Sequence, residues 1–116
     1  RLDDAVAALT SAGFTAERHE WSINLQGTGD VIVQITTETD YADFPKRALP
    51  ADVHGILMRV ASLEDTLTGK VRAWSDPERR ASKRQKDLLD ITRLVEAHPA
   101  LWSRLPAALQ PHVPRP

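Results

Sequence analysis

Apolar residues recur at helical spacing in the opening stretch LDDAVAALTSAG, at Leu2, Ala5, Val6 and Leu9, and Gly13 stands just beyond them as a stop. The period then changes. FTAERHEW, SINLQG and DVIVQITT read as strands, and the last is dense enough in β-branched residues (Val31, Ile32, Val33, Ile35) to predict a buried one. Between the second and third, QGTGD offers Gly27 and Gly29 for a hairpin turn. A helix followed by an antiparallel meander is therefore expected. TETDYADFPKRALPAD is polar, contains two prolines and reads as a loop or a short broken helix, whereas ADVHGILMRVA gives two brief strands about Gly55.

From Ser62 onward the spacing is helical. Ser62 is an N-cap candidate with Asp65 three residues on, and Leu63, Leu67, Val71 and Trp74 make the apolar stripe. SDPE stops this helix, and Pro77 suits the first turn of the next element. Ser82 and Gln85 repeat the capping pattern and open a second helix through about Ala97, with Leu88, Ile91, Leu94 and Val95 as its buried arc. HPALWSRLPAALQPHVPRP is a proline-punctuated tail of one or two short helices. With no internal repeat and no low-complexity linker, the expectation is one α+β domain over 1–116, helix plus sheet in 1–61 and helical in 62–116.

Composition adds limits. A chain of 116 residues, 41% hydrophobic and 27% charged, can bury one modest core. Its net charge of −1 gives no overall attraction to nucleic acid or anionic membrane, so any anion binding must come from local clusters. The absence of cysteine removes disulfides, thiolate catalysis and sulfur-ligated metals, and agrees with a cytoplasmic location. No apolar run approaches the ~20 residues that span a bilayer, and no signal peptide is recognisable. The chain opens on Arg1 rather than methionine, as a fragment or a processed product would. His19, His54, His98 and His112 are scattered without metal-ligand spacing, and GTG is not followed by the strand–loop–helix of a phosphate loop.

Two features break the pattern. Positions 63, 67, 70 and 74 share one helix face, so Lys70 occupies a place where an apolar residue belongs. Gly69 beside it costs roughly 1 kcal/mol relative to alanine in a helix, a common sign of close approach. Lys70 either lays its stem over the core with its head in water or turns its ammonium toward a cleft. The second feature is DPERRASKRQKD, where Arg79, Arg80, Lys83, Arg84 and Lys86 fall within eight positions before Asp87. Asp87 lies at the edge of the buried arc and Asp90 further toward solvent. Two accounts are open: an interhelical ion pair of Asp87 with Lys70 or a neighbouring arginine, or a lysine and a carboxylate facing one anion site ringed by Arg79, Arg80 and Lys83.

ASLEDTLTGKVRAWSDPERRASKRQKDLLDITRLVE resembles the C-terminal half of nucleotidyltransferase-fold, polymerase-β-like proteins of the AbiEii type, toxins of toxin–antitoxin and phage-defence modules. The similarity runs through LEDTLTGK, RR and KDLLD: an acidic helix start, a lysine about one and a half turns on, basic residues, then the aspartate of (K/R)DLxD. Upstream, LDDAVAALTSAGF resembles the helix after the second catalytic strand, and DVIVQITT a later central strand.

The resemblance implies an α+β, nucleotidyltransferase-like fold, with a short mixed or antiparallel sheet, helices packed on it and a helical C-terminal part. It implies transfer of a nucleotide from a nucleoside triphosphate to a protein or RNA acceptor, with Mg²⁺ in an intact active site, an antitoxin as partner and no membrane. Carried over by motif, Lys70 holds nucleotide phosphate, Asp87 is the late acid with Asp90 as second choice, and Asp65, preferred to Glu64, is the acid before the lysine. Arg79, Arg80, Lys83 and Lys86 would bind or steer the phosphates. The Gly-Ser loop and first aspartate pair, which bind the metals in this fold, are not in this sequence. The central strand carries Gln34 where many relatives place another metal-binding acid, and a neutral amide is a poor Mg²⁺ ligand beside a carboxylate. Because nucleotidyl transfer depends on metal ions, the stretch has the character of an anion cradle without the metal site. A catalytically inactive nucleotide- or RNA-binding relative and a protein-interaction module are the alternative readings.

Overall fold

In the computed structural model, which describes all 116 residues, the chain divides into two compact units, Arg1–Asp43 and Phe44–Pro116. The first opens with α1 (Leu2–Ser11), whose first turn carries Asp3 and Asp4, where the helix dipole favours acids. Gly13, at φ 98°, ends it, and the N–H groups of Gly13 and Phe14 donate to the carbonyls of Thr10 and Leu9. This is a Schellman stop, which satisfies two carbonyls that the helix leaves open.

Strands β1 (Thr15–Arg18), β2 (Ser22–Gln26) and β3 (Ile32–Thr36) come next as the antiparallel meander the sequence predicts, in the order β1-β2-β3. The register sets Ile23 opposite Ile35 and Leu25 opposite Val33. Ile23 and Leu25 form a core with Val6, against which Leu9, Phe14, Ala16, Val33 and Ile35 pack. The expected burial of β3 is corrected: it is an edge strand covered on one face only, so Val33 and Ile35 turn inward while Ile32 is 62% exposed. The two turn glycines also differ. Gly29 supplies a positive φ of 75°, whereas a Cβ on Gly27 would lie 2.8 Å from the Phe14 ring.

The second unit begins with the one-turn helix α2 (Phe44–Arg47) and the hairpin β4 (Leu49–Val53) and β5 (Ile56–Val60). Its two-residue turn places His54 and Gly55 both at positive φ, the type I′ geometry matched to strand twist, and Asp52 accepts the Gly55 N–H at 2.7 Å. The hairpin thus groups with the helical part of the chain rather than with the three-stranded sheet. Ile56, Leu57, Met58 and Val60 are exposed on it.

Helices α3 (Leu63–Ser75) and α4 (Ala81–Ala97) pack as an antiparallel pair joined by a five-residue connection, 76–80. Ser62 caps α3 as expected, its Oγ accepting the Asp65 N–H at 3.1 Å. Ser82, in contrast, does not cap α4. Asp76 organises the connection by accepting the Glu78 N–H, and the chain enters the helix at Arg80, leaving Ser82 inside the first turn. The proline-punctuated tail forms 3-10 segments at Pro99–Arg104 and Gln110–His112. Leu101, Leu105, Leu109 and Val113 of that tail complete the core around Leu67, Ile91 and Val95, and the Trp102 indole N–H donates to the Val113 carbonyl at 3.0 Å.

Candidate functional site

On α4 the residues 87, 91 and 95 stand one turn apart, and all three are buried. Asp87, 1% exposed, therefore sits on the apolar stripe itself rather than at its edge. Its carboxylate is compensated by Arg79 from the connection, with Nε–Oδ2 2.9 Å and Nη2–Oδ1 3.0 Å. This fork-to-fork geometry is the strong form of an arginine–carboxylate pair. It ties the connection to α4.

Asp65 has a parallel arrangement. It is buried in the first turn of α3, and Arg47 at the end of α2 donates to it from Nε at 2.8 Å and from Nη2 at 3.0 Å. The Arg47 hydrogen bonds hold the Asp65 carboxyl below its ordinary range against the opposing effect of burial, helped by Ser62. Both acids that the resemblance nominated in the motif are thus bound bidentately by arginines.

Lys70 goes elsewhere. Its ammonium crosses from α3 to Asp90 Oδ2 at 2.8 Å, and Lys86, one turn before Asp90 on α4, reaches the same oxygen at 3.1 Å. The lysine hydrogen bonds, that of Lys70 first, lower the Asp90 pKa, with burial opposing. The acid that meets Lys70 is accordingly Asp90, and the partner of Asp87 is the neighbouring arginine. Asp90 does not turn to solvent as the sequence suggested: its side chain is 22% exposed, because the flank of α4 next to the buried stripe is the one that faces α3.

This pair lies at a hollow of about 290 Å³ lined by Thr66, Lys70, Asp90, Arg93, Leu94, Ala97 and His98. The basic run does not ring it. Arg79 is held by Asp87, Arg84 donates to the Asp76 carbonyl at 2.7 Å, and Lys86 is on Asp90, while Arg80 and Lys83 stand exposed around the start of α4. Of the nominated residues, only Lys70 contributes to the lining, joined there by Asp90, the second choice for the late acid.

Arg93 and His98 were not singled out as site residues from the sequence. The signal for Arg93 was its place at i+3 from Asp90, with Leu94 and Ala97 at i+4 and i+7. The part played by Arg47 had no such signal, since it lies 18 residues from Asp65.

The donor set does not suit Mg²⁺. No three Asp, Glu or His side chains gather anywhere in the chain, and the oxygens of Asp65 and Asp87 are taken by guanidinium groups. Gln34 is exposed on β3 opposite Asn24.

Across residues 2–114 the sequence matches the family model described as the nucleotidyl transferase AbiEii toxin of a type IV toxin–antitoxin system. The chain belongs to the AbiEii family. No curated protein and no solved structure gave a significant match. Membership agrees with the architecture, an α+β arrangement of helices and small antiparallel sheets consistent with a nucleotidyltransferase-like fold. It also supports a nucleotidyltransferase-like role in a toxin–antitoxin setting for this AbiEii chain. No helix is long and apolar enough to cross a membrane.

Proposed function

We propose that the α3–α4 pair is the phosphate-binding side of a nucleotidyltransferase cleft. The observation that supports this most is the Lys70–Asp90 contact of 2.8 Å beside the hollow. In this reading Lys70 leaves Asp90 for a phosphate of a nucleoside triphosphate. Lys86 stays on Asp90, so the carboxylate is not stripped of its counter-charge during the exchange. Asp90 takes the part that the motif gave to Asp87, while Asp65 and Asp87, each clamped by an arginine, hold α3 and α4 in register. Exposed Arg80 and Lys83 steer the anionic substrate, which raises on-rate more than affinity.

Transfer of the nucleotide to a protein or RNA acceptor requires the Gly-Ser and aspartate-pair elements, which supply the Mg²⁺ sites in this fold; this chain's own residues bind and orient the triphosphate. The family's toxin–antitoxin setting supports an antitoxin as partner and a cytoplasmic location. A second reading, a relative that binds nucleotide without transferring it, is favoured by Gln34 on β3.

Thermal unfolding of the chain in nucleoside triphosphate tests the binding step. Ligand at 100 times its Kd stabilises the folded state by ~2.7 kcal/mol. The expected result is a shift in wild type that Lys70→Ala abolishes. No shift in wild type at millimolar triphosphate would sink the reading. Binding without transfer, in a protein that contains the metal-binding elements, would favour the second one.

A further inference from the structure

We infer that Arg93 is a second cationic ligand in the hollow, and that the hollow takes the oligophosphate tail of the nucleotide rather than its base; this rests on the phosphate-binding reading of Lys70.

Size is the first argument. At about 290 Å³ the hollow is at the lower limit of the ~300–1,000 Å³ typical of clefts that enclose a small molecule, which suits a chain of phosphates better than a whole nucleotide.

Charge is the second. Lys70 comes from α3 and Arg93 from α4, so two cations on different helices line one concavity. Asp90 is the one carboxylate among the lining residues, and it already receives both Lys70 and Lys86. Three cations therefore stand against one acid. No ion pair engages the exposed guanidinium of Arg93, which leaves its donors available to a phosphate without a protein contact having to break.

Chemistry is the third. A guanidinium binds two phosphate oxygens in parallel, whereas an ammonium acts as a point charge. Arg93 can thus fix the direction of the phosphate chain while Lys70 neutralises it. Leu94 and Ala97 supply the apolar part of the wall beside both contacts. The helix dipoles do not decide the matter, since the start of α3 and the end of α4 lie side by side with opposing signs. The Thr66 hydroxyl is already committed as donor to the Ser62 carbonyl at 2.9 Å, so the side chains must provide the anion's donors from Lys70, Arg93 and the His98 ring.

The test is calorimetric titration of the chain with sodium tripolyphosphate, metal-free and at low ionic strength, where charge interactions are least screened. Wild type is expected to bind. Arg93→Ala should weaken binding by about tenfold, the scale of one lost hydrogen bond to a charged group, and Arg93→Lys should recover part of the loss. Arg104→Ala, at a separate concavity of the same unit, should leave the affinity unchanged. Adenosine should not compete.

An Arg93→Ala affinity equal to wild type, with binding lost in Lys70→Ala, overturns the role of Arg93 and leaves the function reading standing. An equal loss in Arg104→Ala also overturns it, since the effect would then be diffuse charge. Competition by adenosine would put the base in the hollow and overturn the subsite assignment. Failure of wild type to bind tripolyphosphate removes the function reading itself.

Discussion

Lys70 and Asp90 meet at 2.8 Å across the α3–α4 pair, on a carboxylate oxygen that Lys86 also reaches at 3.1 Å. An ammonium held this way is ordered before any ligand arrives, yet its departure leaves Asp90 still compensated. A swap of Lys70 from carboxylate to phosphate is therefore cheaper than breaking an isolated ion pair.

Asp90→Asn releases Lys70 from its partner and removes the one negative charge that lines the hollow. Binding of tripolyphosphate should tighten at least several-fold, and the gain should shrink as salt is raised. A weaker Kd in calorimetry would argue that Asp90 contributes to the ligand directly.

The Arg79–Asp87 pair should matter chiefly for stability. Removing one partner of a buried pair leaves an uncompensated charge and costs ~3–5 kcal/mol. Urea unfolding of Arg79→Ala, which strands the buried carboxylate, should lie in that range, and Asp87→Ala should cost less because the Arg79 side chain, 31% exposed, can turn to water. A loss below ~1 kcal/mol in Arg79→Ala would mean that water reaches the carboxylate.

Acid should weaken the fold through Asp65 and Asp90, both of which have folded pKa values below the ordinary carboxylate value of 3.8. Groups lowered in this way stabilise the folded state fully above their unfolded pKa, and that stability is lost as pH falls through the folded values. Urea midpoints should therefore hold down to about pH 4 and decline below it, and Asp90→Asn should flatten the decline. A wild-type profile no steeper than that of Asp90→Asn would count against the Lys70 and Lys86 contacts.

Gly27→Ala should destabilise the first unit by ~1–3 kcal/mol, the usual cost of overpacking, because the new methyl meets the Phe14 ring at 2.8 Å. Phe14→Leu in the same background should recover part of the loss. An unchanged melting temperature for the single variant would show that the ring moves aside freely.

Much of the fold is legible in the sequence because local chemistry dictates it. Gly13 past a helical stripe, alternating residues in SINLQ and Ser62 before LEDT each need no distant partner to be interpreted, and each element forms where expected. The misjudged features depend on tertiary context. Nothing local distinguishes a strand covered on both faces from the edge strand β3. Likewise, Ser82 looks like a cap until Asp76 and Arg80 have set where α4 begins.

The candidate site divides along the same line. Periodicity marked Lys70 as out of place, and the motif drew attention to KDLLD, but choosing between Asp87 and Asp90 required the phase of α4 against α3. A shift of three residues along a helix moves a side chain by about 300°, enough to exchange a buried stripe for its flank. Arg93 is weakly marked in the sequence because an arginine in a solvated helix is unexceptional until a lysine from another helix lines the same hollow.

Four of the seven buried residues in the second unit's core, Leu101, Leu105, Leu109 and Val113, come from the tail after α4. Without that segment Leu67, Ile91 and Val95 would lose the side chains that close over them, so the packing that brings Lys70 of α3 to Asp90 of α4 is borrowed from residues that belong to neither helix.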